Sequence, residues 1–271
     1  MGKRESRPWI VSDELWSLIE PLLPEPGPKL VEGRPRVPDR QALCGILFVL
    51  HTGIQWEYLP QELGFGSGMT CWRRLAAWNE AGVWDELHLV LLKKLRVAKK
   101  LDWSRAVIDS SHPGGPAGPK SGPSPVDRAR PGSKHHVLTD GQGIPLAVSL
   151  TGGNRNDVTQ LLPLLDKVPT VAGVVGRPRR RPDALLADRG YDHDKYRRLV
   201  RARGITPVIA ERGQEHGSGL GVFRWVVERT IAWLHGFRRL RIRWERRDDI
   251  HEAFLGLATC LITHRHVQRL C

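Results

Sequence analysis

Apolar and polar positions follow two different periods along this 271-residue chain, and the change falls near residue 100. Before it, apolar residues recur every three or four positions, as on a helix with one buried face. In "SDELWSLIEPLL" (12–23), Ser12 stands where an N-cap is needed and Leu15, Ile19 and Leu22 share a face. A Pro/Gly connector, "PEPGPKLVEGRPRVP" (24–38), leads to an apolar helix, "DRQALCGILFVLHTG", opened by Pro38 and Asp39. "GSGMTCWRRLAAWNEAG" predicts a further helix stopped at Gly82, and "VWDELHLVLLKKL" a fourth. Helix, glycine turn and helix make the outline of a helix-turn-helix, with Arg73 and Arg74 as its exposed contacts, although any small helical bundle shares that outline.

After Lys100 the period shortens. "RAVIDSSH" (105–112) reads as a strand, followed by a Gly/Pro/Ser loop over 114–133. "KHHVLTDGQGIPLAVSLTGG" is a hairpin turning at "DGQG", and "DVTQLLPLLDKV" a helix. An arginine-rich loop, "VVGRPRRRPD", precedes the short strand "ALLA" (184–187). The helix "DHDKYRRLVRARG", the strand "ITPVIA" and two long helices, near 222–240 and 248–268, close the chain. Three antiparallel strands followed by α/β units predict a mixed sheet with helices on its faces. The order matches a ribonuclease-H-like fold, though other mixed α/β folds share the spacing. The expected organisation is a small all-helical domain over 1–100 and an α/β domain over 101–271.

Composition narrows the class. Apolar residues make up 40% of the chain, enough for a substantial core, and no run approaches the ~20 residues of a membrane span. The N-terminus has no signal-peptide pattern, and the four cysteines (Cys44, Cys71, Cys260, Cys271) form no CxxC pair. These features predict a cytoplasmic protein with reduced thiols. The net charge of +13 and pI near 10.2 predict a polyanionic partner. That charge is unevenly spread: residues 1–100 hold 14 Lys+Arg against 12 Asp+Glu, and the rest hold 28 against 17. Residues 176–247 carry 19 basic groups against 8 acidic, and 18 of the 19 are arginines, which can grip phosphate oxygens in pairs.

Within that positive field stand three acids. Asp109 and Asp188 each follow an apolar β run and begin a loop. If their strands are neighbours, two like charges meet at one sheet edge and call for a cation, for which Mg²⁺ is suited by its preference for oxygen ligands. Each could instead cap a turn or helix. Glu228 lies off the buried stripe of "FRWVVERTIAWLHGF", with Arg224 and His235 within roughly 60° of the same helical face. Its other reading is a solvated side chain paired with Arg224. "HRH" (264–266) and "DHD" (192–194) have some metal-ligand character but suit surface or helix-cap roles better.

Taken with their spacing, "AVIDSSH", "GPSPVDRARPGSKHHVLTD", "IPLAVSLTGGNRND", "LLADRGYD", "HGSGLGVFRWVVERTIAWLHGFRRLRIRWERR" and "DIHEAFLGLATCLI" resemble the DDE transposases of bacterial insertion sequences. The nearest likeness is to insertion-sequence family five. It extends to "LWSLIEPLLP", "GILFVLHTGIQWEYLP" and "TCWRRLAAWNEAGVWDEL", and so covers nearly the whole chain. It implies a catalytic, metal-holding triad of Asp109, Asp188 and Glu228, served by two Mg²⁺ ions for which Mn²⁺ can substitute. It implies cleavage at the inverted-repeat ends of an insertion sequence and joining of the freed 3′-OH to target DNA, by a homodimer that holds two ends. Arg224 and Glu228 match the family's Tyr-x2-Arg-x3-Glu-x6-Lys/Arg helix signature. Gly221 stands in place of the Tyr, and His235 in place of the Lys/Arg. The side chains expected to grip DNA are Arg224, Arg229, His235, Arg238, Arg239, Lys134, Arg189, Arg73 and Arg74. Two rival readings use the same residues: a Mg²⁺-dependent nuclease without strand transfer, and a DNA-binding regulator with structural acids. Recombination through Tyr58, Tyr191 or Tyr196 is disfavoured, because none sits in a His/Arg constellation.

Overall fold

The computed structural model describes residues 7–27, 35–125, 127–213 and 221–271. The first six residues, the middle of the Pro/Gly connector (28–34), Val126 of the long loop, and 214–220, which include the start of the motif that begins "HGSGLG", lie outside the described residues.

The helical half contains α1 (Asp13–Ile19), α2 (Asp39–Thr52), α3 (Gly68–Glu80) and α4 (Val83–Val97). Ser12 caps α1 by accepting the Leu15 N–H at 3.2 Å, and the helix tightens into a 3₁₀ turn at Glu20–Leu22, where Pro21 is placed. Gly53 ends α2 with φ of 75°, a left-handed conformation that glycine adopts without steric cost.

Six strands follow: β1 (Arg105–Ser111), β2 (Gly122–Pro123), β3 (Pro131–Asp140), β4 (Pro145–Gly152), β5 (Ala184–Ala187) and β6 (Thr206–Ile209). Across the sheet the order is β4-β3-β1-β5-β6, with the two-residue β2 paired to the start of β3. β3 is antiparallel to both β4 and β1, whereas β5 runs parallel to β1 and β6 parallel to β5. An antiparallel meander extended by parallel strands beside its first strand is the ribonuclease-H-like arrangement. β1, central in that order, carries three wholly buried residues, Ala106, Val107 and Ile108, ahead of Asp109.

The remaining helices are α5 (Leu161–Lys167), α6 (Asp194–Arg201), α7 (Gly221–Gly236), α8 (Arg238–Arg241) and α9 (Asp248–Leu270). Two boundaries differ from the sequence expectation. The helix over 157–168 opens as a 3₁₀ turn at Asp157–Gln160 because Asn156 caps it by accepting the Val158 N–H. The helix expected to reach residue 240 breaks at Phe237, whose backbone is extended (ψ 109°) and whose ring is buried against His51. Gly236 has no side chain to hold the helix, and burying Phe237 decides the break.

α9 packs along α4 and α3 and also against β4 and α7. The apolar core is therefore one contiguous cluster, from Val11 to Val267, across the change of period near residue 100. α7 lies across β1 and β3 and is pinned to the β3–β4 turn. There Thr230 Oγ1 donates to the Gly143 carbonyl at 2.6 Å and Arg229 donates to that of Gln142. Asp140 organises the turn by accepting the backbone N–H groups of Asp102, Gln142 and Ile144 at 2.8–2.9 Å. Burial still pushes its carboxyl up to about 7 against those donors. Asp140→Ala leaves those three N–H groups without their acceptor, so it should destabilise the protein by about 2–4 kcal/mol in urea unfolding. A loss below about 0.5 kcal/mol would show that water replaces the carboxylate without cost.

Candidate active site

The register of the parallel pair builds the site. Ala106 pairs with Leu185 and Val107 with Leu186, an offset of 79 residues that also separates Asp109 from Asp188. The two acids thus leave the same end of adjacent strands. Asp188 lies one residue beyond β5 and Asp109 two residues before the end of β1.

Asp188 also caps a local turn, as the alternative reading expects, whereas Asp109 lies inside β1 and bonds the next residue's N–H. Asp109 Oδ1 accepts the Ser110 N–H at 2.8 Å. Asp188 Oδ1 accepts the Gly190 N–H at 2.8 Å and so opens a 3₁₀ turn at Arg189–Tyr191. Their other oxygens share one cation: Arg224 Nη2 lies 3.1 Å from Asp109 Oδ2 and 3.9 Å from Asp188 Oδ2. Asp109 is the more enclosed, with 20% of its side chain exposed against 41% for Asp188. Burial raises the Asp109 pKa above the ordinary carboxylate range. The Ser110 N–H and Arg224 oppose that rise, and the Asp188 charge adds to it.

Glu228 is exposed, one helical turn after Arg224 on α7. Among the described residues, no three or more His, Cys, Asp or Glu side chains are gathered closely enough to hold a metal ion. The aspartate pair does fit a divalent cation: both offer hard oxygen donors, both are open to solvent, and their charges repel without a partner. In this conformation the Arg224 guanidinium supplies the positive charge. Glu228 stands on the same helix face, on the solvent side.

Sequence reading missed the groups around the pair. Asp157 Oδ1 accepts from Ser110 Oγ at 3.0 Å and from Lys134 Nζ at 2.9 Å. Tyr191 is buried with its hydroxyl unpartnered; burial, and then the charges of Asp157, Asp109 and Asp188, push its pKa well above the usual phenol value. The available signal was "GGNRND", a polar run directly after a strand, in which the final Asp lies one residue beyond the cap.

Of the basic side chains expected to grip DNA, several have internal partners. Lys134 is 5% exposed and bonds Asp157 and the Arg155 carbonyl. Arg239 is 3% exposed, paired with Glu245 and donating to the Gly53 and Ile54 carbonyls. Arg74 is paired with Asp39. These pairings have one cause: each guanidinium or ammonium is held where water has little access, by a carboxylate distant in sequence or, for Arg239, six residues away. His235 Nε2 is 3.1 Å from Ser111 Oγ and its ring faces His135; burial and then Arg241 lower its pKa, so it is neutral near pH 7. Arg73 and Arg238 are exposed, Arg189 sits beside Asp188 in the 3₁₀ turn, and Arg229 stacks on Trp225.

A central sheet of ribonuclease-H type with an acid pair at the ends of its two middle strands defines the class, and comparison with known proteins agrees. A family model described as "Putative transposase of IS4/5 family" matches residues 11–88, and two described as "Transposase DDE domain" match 101–219 and 185–264. The "Putative transposase for insertion sequence element IS402" of Burkholderia cepacia is 62% identical over 165 residues, 61% of this chain and 77% of that protein. The "Insertion element IS402 uncharacterized 16.2 kDa protein" of the same organism is 60% identical over 104 residues, 38% of this chain and 71% of that protein. A solved structure, "Mos1 transposase paired-end complex with left transposon end", aligns over 84% of this chain and 82% of its own. Its TM-score is 0.24 at 13% identity, too slight a likeness to bear on the fold. The chain belongs to the DDE transposases of insertion sequences, metal-dependent enzymes that cut and join DNA. Among the described residues no helix is long and apolar enough to cross a membrane.

Arg224→Ala removes the cation between the two aspartates. The Asp109 pKa, already raised, should rise further, because burial and the Asp188 charge then act with less opposition. Carboxyl ¹³C titration checks this. An unchanged or lower value would mean that another cation balances the pair.

Proposed function

We propose that this protein binds the inverted-repeat ends of an insertion sequence, cuts them hydrolytically and joins the freed 3′-OH to target DNA. The observation that carries the reading is the in-register placement of Asp109 and Asp188 at the ends of β1 and β5, under a helix that brings Arg224 to both. Asp109, Asp188 and Glu228 are the residues that would hold two Mg²⁺ ions, with Mn²⁺ as a substitute. When bound, such ions activate the attacking oxygen and stabilise the leaving one in an in-line displacement. The chain's own groups do the rest. Ser110 holds Asp109 Oδ1 through its backbone N–H, and Asp157 is held beside Ser110 by Lys134. Arg224, released from the aspartates when another cation neutralises them, is free to grip a phosphate next to the scissile bond with two donors. Glu228, exposed one turn along α7 from Arg224, would complete the set from the solvent side.

The DNA backbone would be held by Arg224, Arg189 and Arg238, with Arg229 further along α7. Arg73, on the exposed face of α3, contributes to end recognition within the helical region. Two ends must be held together for joining, so the working form is a homodimer on DNA.

In the full-length protein, Asp109→Ala, Asp188→Ala and Glu228→Ala should each reduce Mg²⁺-dependent cutting of an end-bearing duplex at least about a hundredfold. Affinity for that duplex should stay within about threefold, since metal ligands serve chemistry more than phosphate binding. Retention of more than a tenth of wild-type cutting by any variant removes that residue from the triad. A wild type that cuts but never joins a pre-cut end to a target plasmid would favour the nuclease reading. Arg73→Ala should weaken end binding more than random-duplex binding. Equal weakening would move end recognition away from α3.

A further inference from the structure

The "HRH" sequence near the C-terminus plays no part in the acid pair, yet the fold builds something with it. Trp225, Arg229 and Trp233 are spaced four apart on α7, turned about 100° from the Arg224–Glu228 line. The Arg229 guanidinium lies between the two rings, 4.5 Å from the Trp225 centroid and 4.7 Å from that of Trp233. Below this stack, Trp233 meets His266 of α9 at a centroid distance of 5.5 Å. There α7 and the last turns of α9 enclose a cleft of about 260 Å³, lined by Trp233, Ile262, Arg265, His266, Gln268 and Arg269.

The cleft is cationic and unpaired. Among the described residues, no carboxylate forms an ion pair with Arg229, Arg265 or Arg269, whereas many arginines elsewhere in the chain have found one. His266 is 7% exposed, and its Nε2 is buried without a hydrogen-bond partner; Arg229 Nε is likewise unpartnered. Arg269 lies close enough to act electrostatically on both Arg229 and His266. Arg229 and Arg269 stand close together while Arg265, over the Phe237 ring at 5.6 Å, lines the same cleft; like charges so placed gain nothing from one another and are stable only because the face is wet, or because an anion completes it. Gln268, whose amide is suited to a base edge, is already held by Glu14 at 3.0 Å. The exposed Arg265 and Arg269 that remain are suited to backbone phosphates.

We propose that this cleft is a second DNA site, separate from the acid pair, that holds the backbone of the target duplex. The proposal rests on the transposase reading above, because joining requires two DNA segments to reach one pair of aspartates. The Arg224–Glu228 line serves the strand being cut. The Trp–Arg–Trp stack and the α9 arginines lie on the adjoining face of the same helix, so a duplex held there approaches Glu228 from the solvent side. A site built on phosphate contacts suits the segment whose sequence need not be specified.

The test uses full-length Arg265→Gln/Arg269→Gln, with Arg265→Lys/Arg269→Lys as the charge-keeping control and thermal unfolding to check that both fold. Three quantities are compared with wild type: the salt dependence of affinity for a random duplex, joining of a pre-cut end to a plasmid, and hydrolytic cutting of an end-bearing duplex. The Gln variant should lower the slope of log K against log salt by about 1.8, as for two lost phosphate contacts. Its joining should fall about tenfold or more, with cutting and end affinity within about twofold, and the Lys variant should recover most of the slope. Unchanged joining and slope would overturn the proposal. So would parallel loss of cutting and joining, which would assign the cleft to the transposon end. Loss of joining at an unchanged slope would also count against it and point to an acidic protein segment as the occupant. Failure of the transposase reading itself appears elsewhere, as wild-type protein that does not join ends at all or as Asp109→Asn protein that still cuts.

Discussion

Asp109 and Asp188 repel one another across the ends of two neighbouring strands, and much of the surrounding structure answers that repulsion. The sheet cannot separate them, because the β1–β5 register brings both acids to the same edge. Arg224 reaches both carboxylates, and that reach depends on where α7 lies. If metal ions occupied that edge, as proposed, they would take the place of the arginine and leave it free for a second use. The charge that balances the acids in one state can bind phosphate in another.

The position of α7 is in turn fixed at two points. Thr230 and Arg229 anchor it to the β3–β4 turn, which Asp140 holds in shape by satisfying three backbone donors. At its far end the helix stops where Phe237 enters the core, and Arg239, two residues on, reaches back to the carbonyls that end α2. The helical N-terminal half and the sheet therefore share the support of the active-site helix. This explains why some of the basic residues that sequence suggested for DNA are internal. Arg239 is an ion-paired tie between halves of the molecule, and Lys134 a brace that sets Asp157 beside Ser110.

α7 also divides its surface between tasks. Its buried stripe holds the sheet, Arg224 reaches both acids, and Trp233, beside Arg229, lines the cleft with α9. The departures from the family's helix signature fall into place physically. His235 stands where the family has Lys or Arg, but it faces Ser111 and His135 in a half-buried setting that lowers its pKa. A permanent cation at that position would have to be desolvated beside Arg241, whereas a neutral imidazole is not penalised there.

The chain's local patterns by themselves determined the two hydrophobic periods, most of the element boundaries, the strand order in time, and three acids in a field of arginines. Such features are local: helix and strand periodicity, caps and breakers act over a few residues and leave direct traces in sequence. Tertiary structure decided the rest. It set the offset of 79 residues that brings Asp188 beside Asp109, and it admitted Asp157 and Tyr191 to their surroundings. It took Lys134, Arg239 and Arg74 out of solvent, broke the penultimate helix at Phe237, and brought "HRH" against Trp233. The physical reason is common to all of these. Whether a charge is free or paired, and whether a ring leaves a helix to fill a core, depends on groups tens to hundreds of residues away, and no local pattern records them.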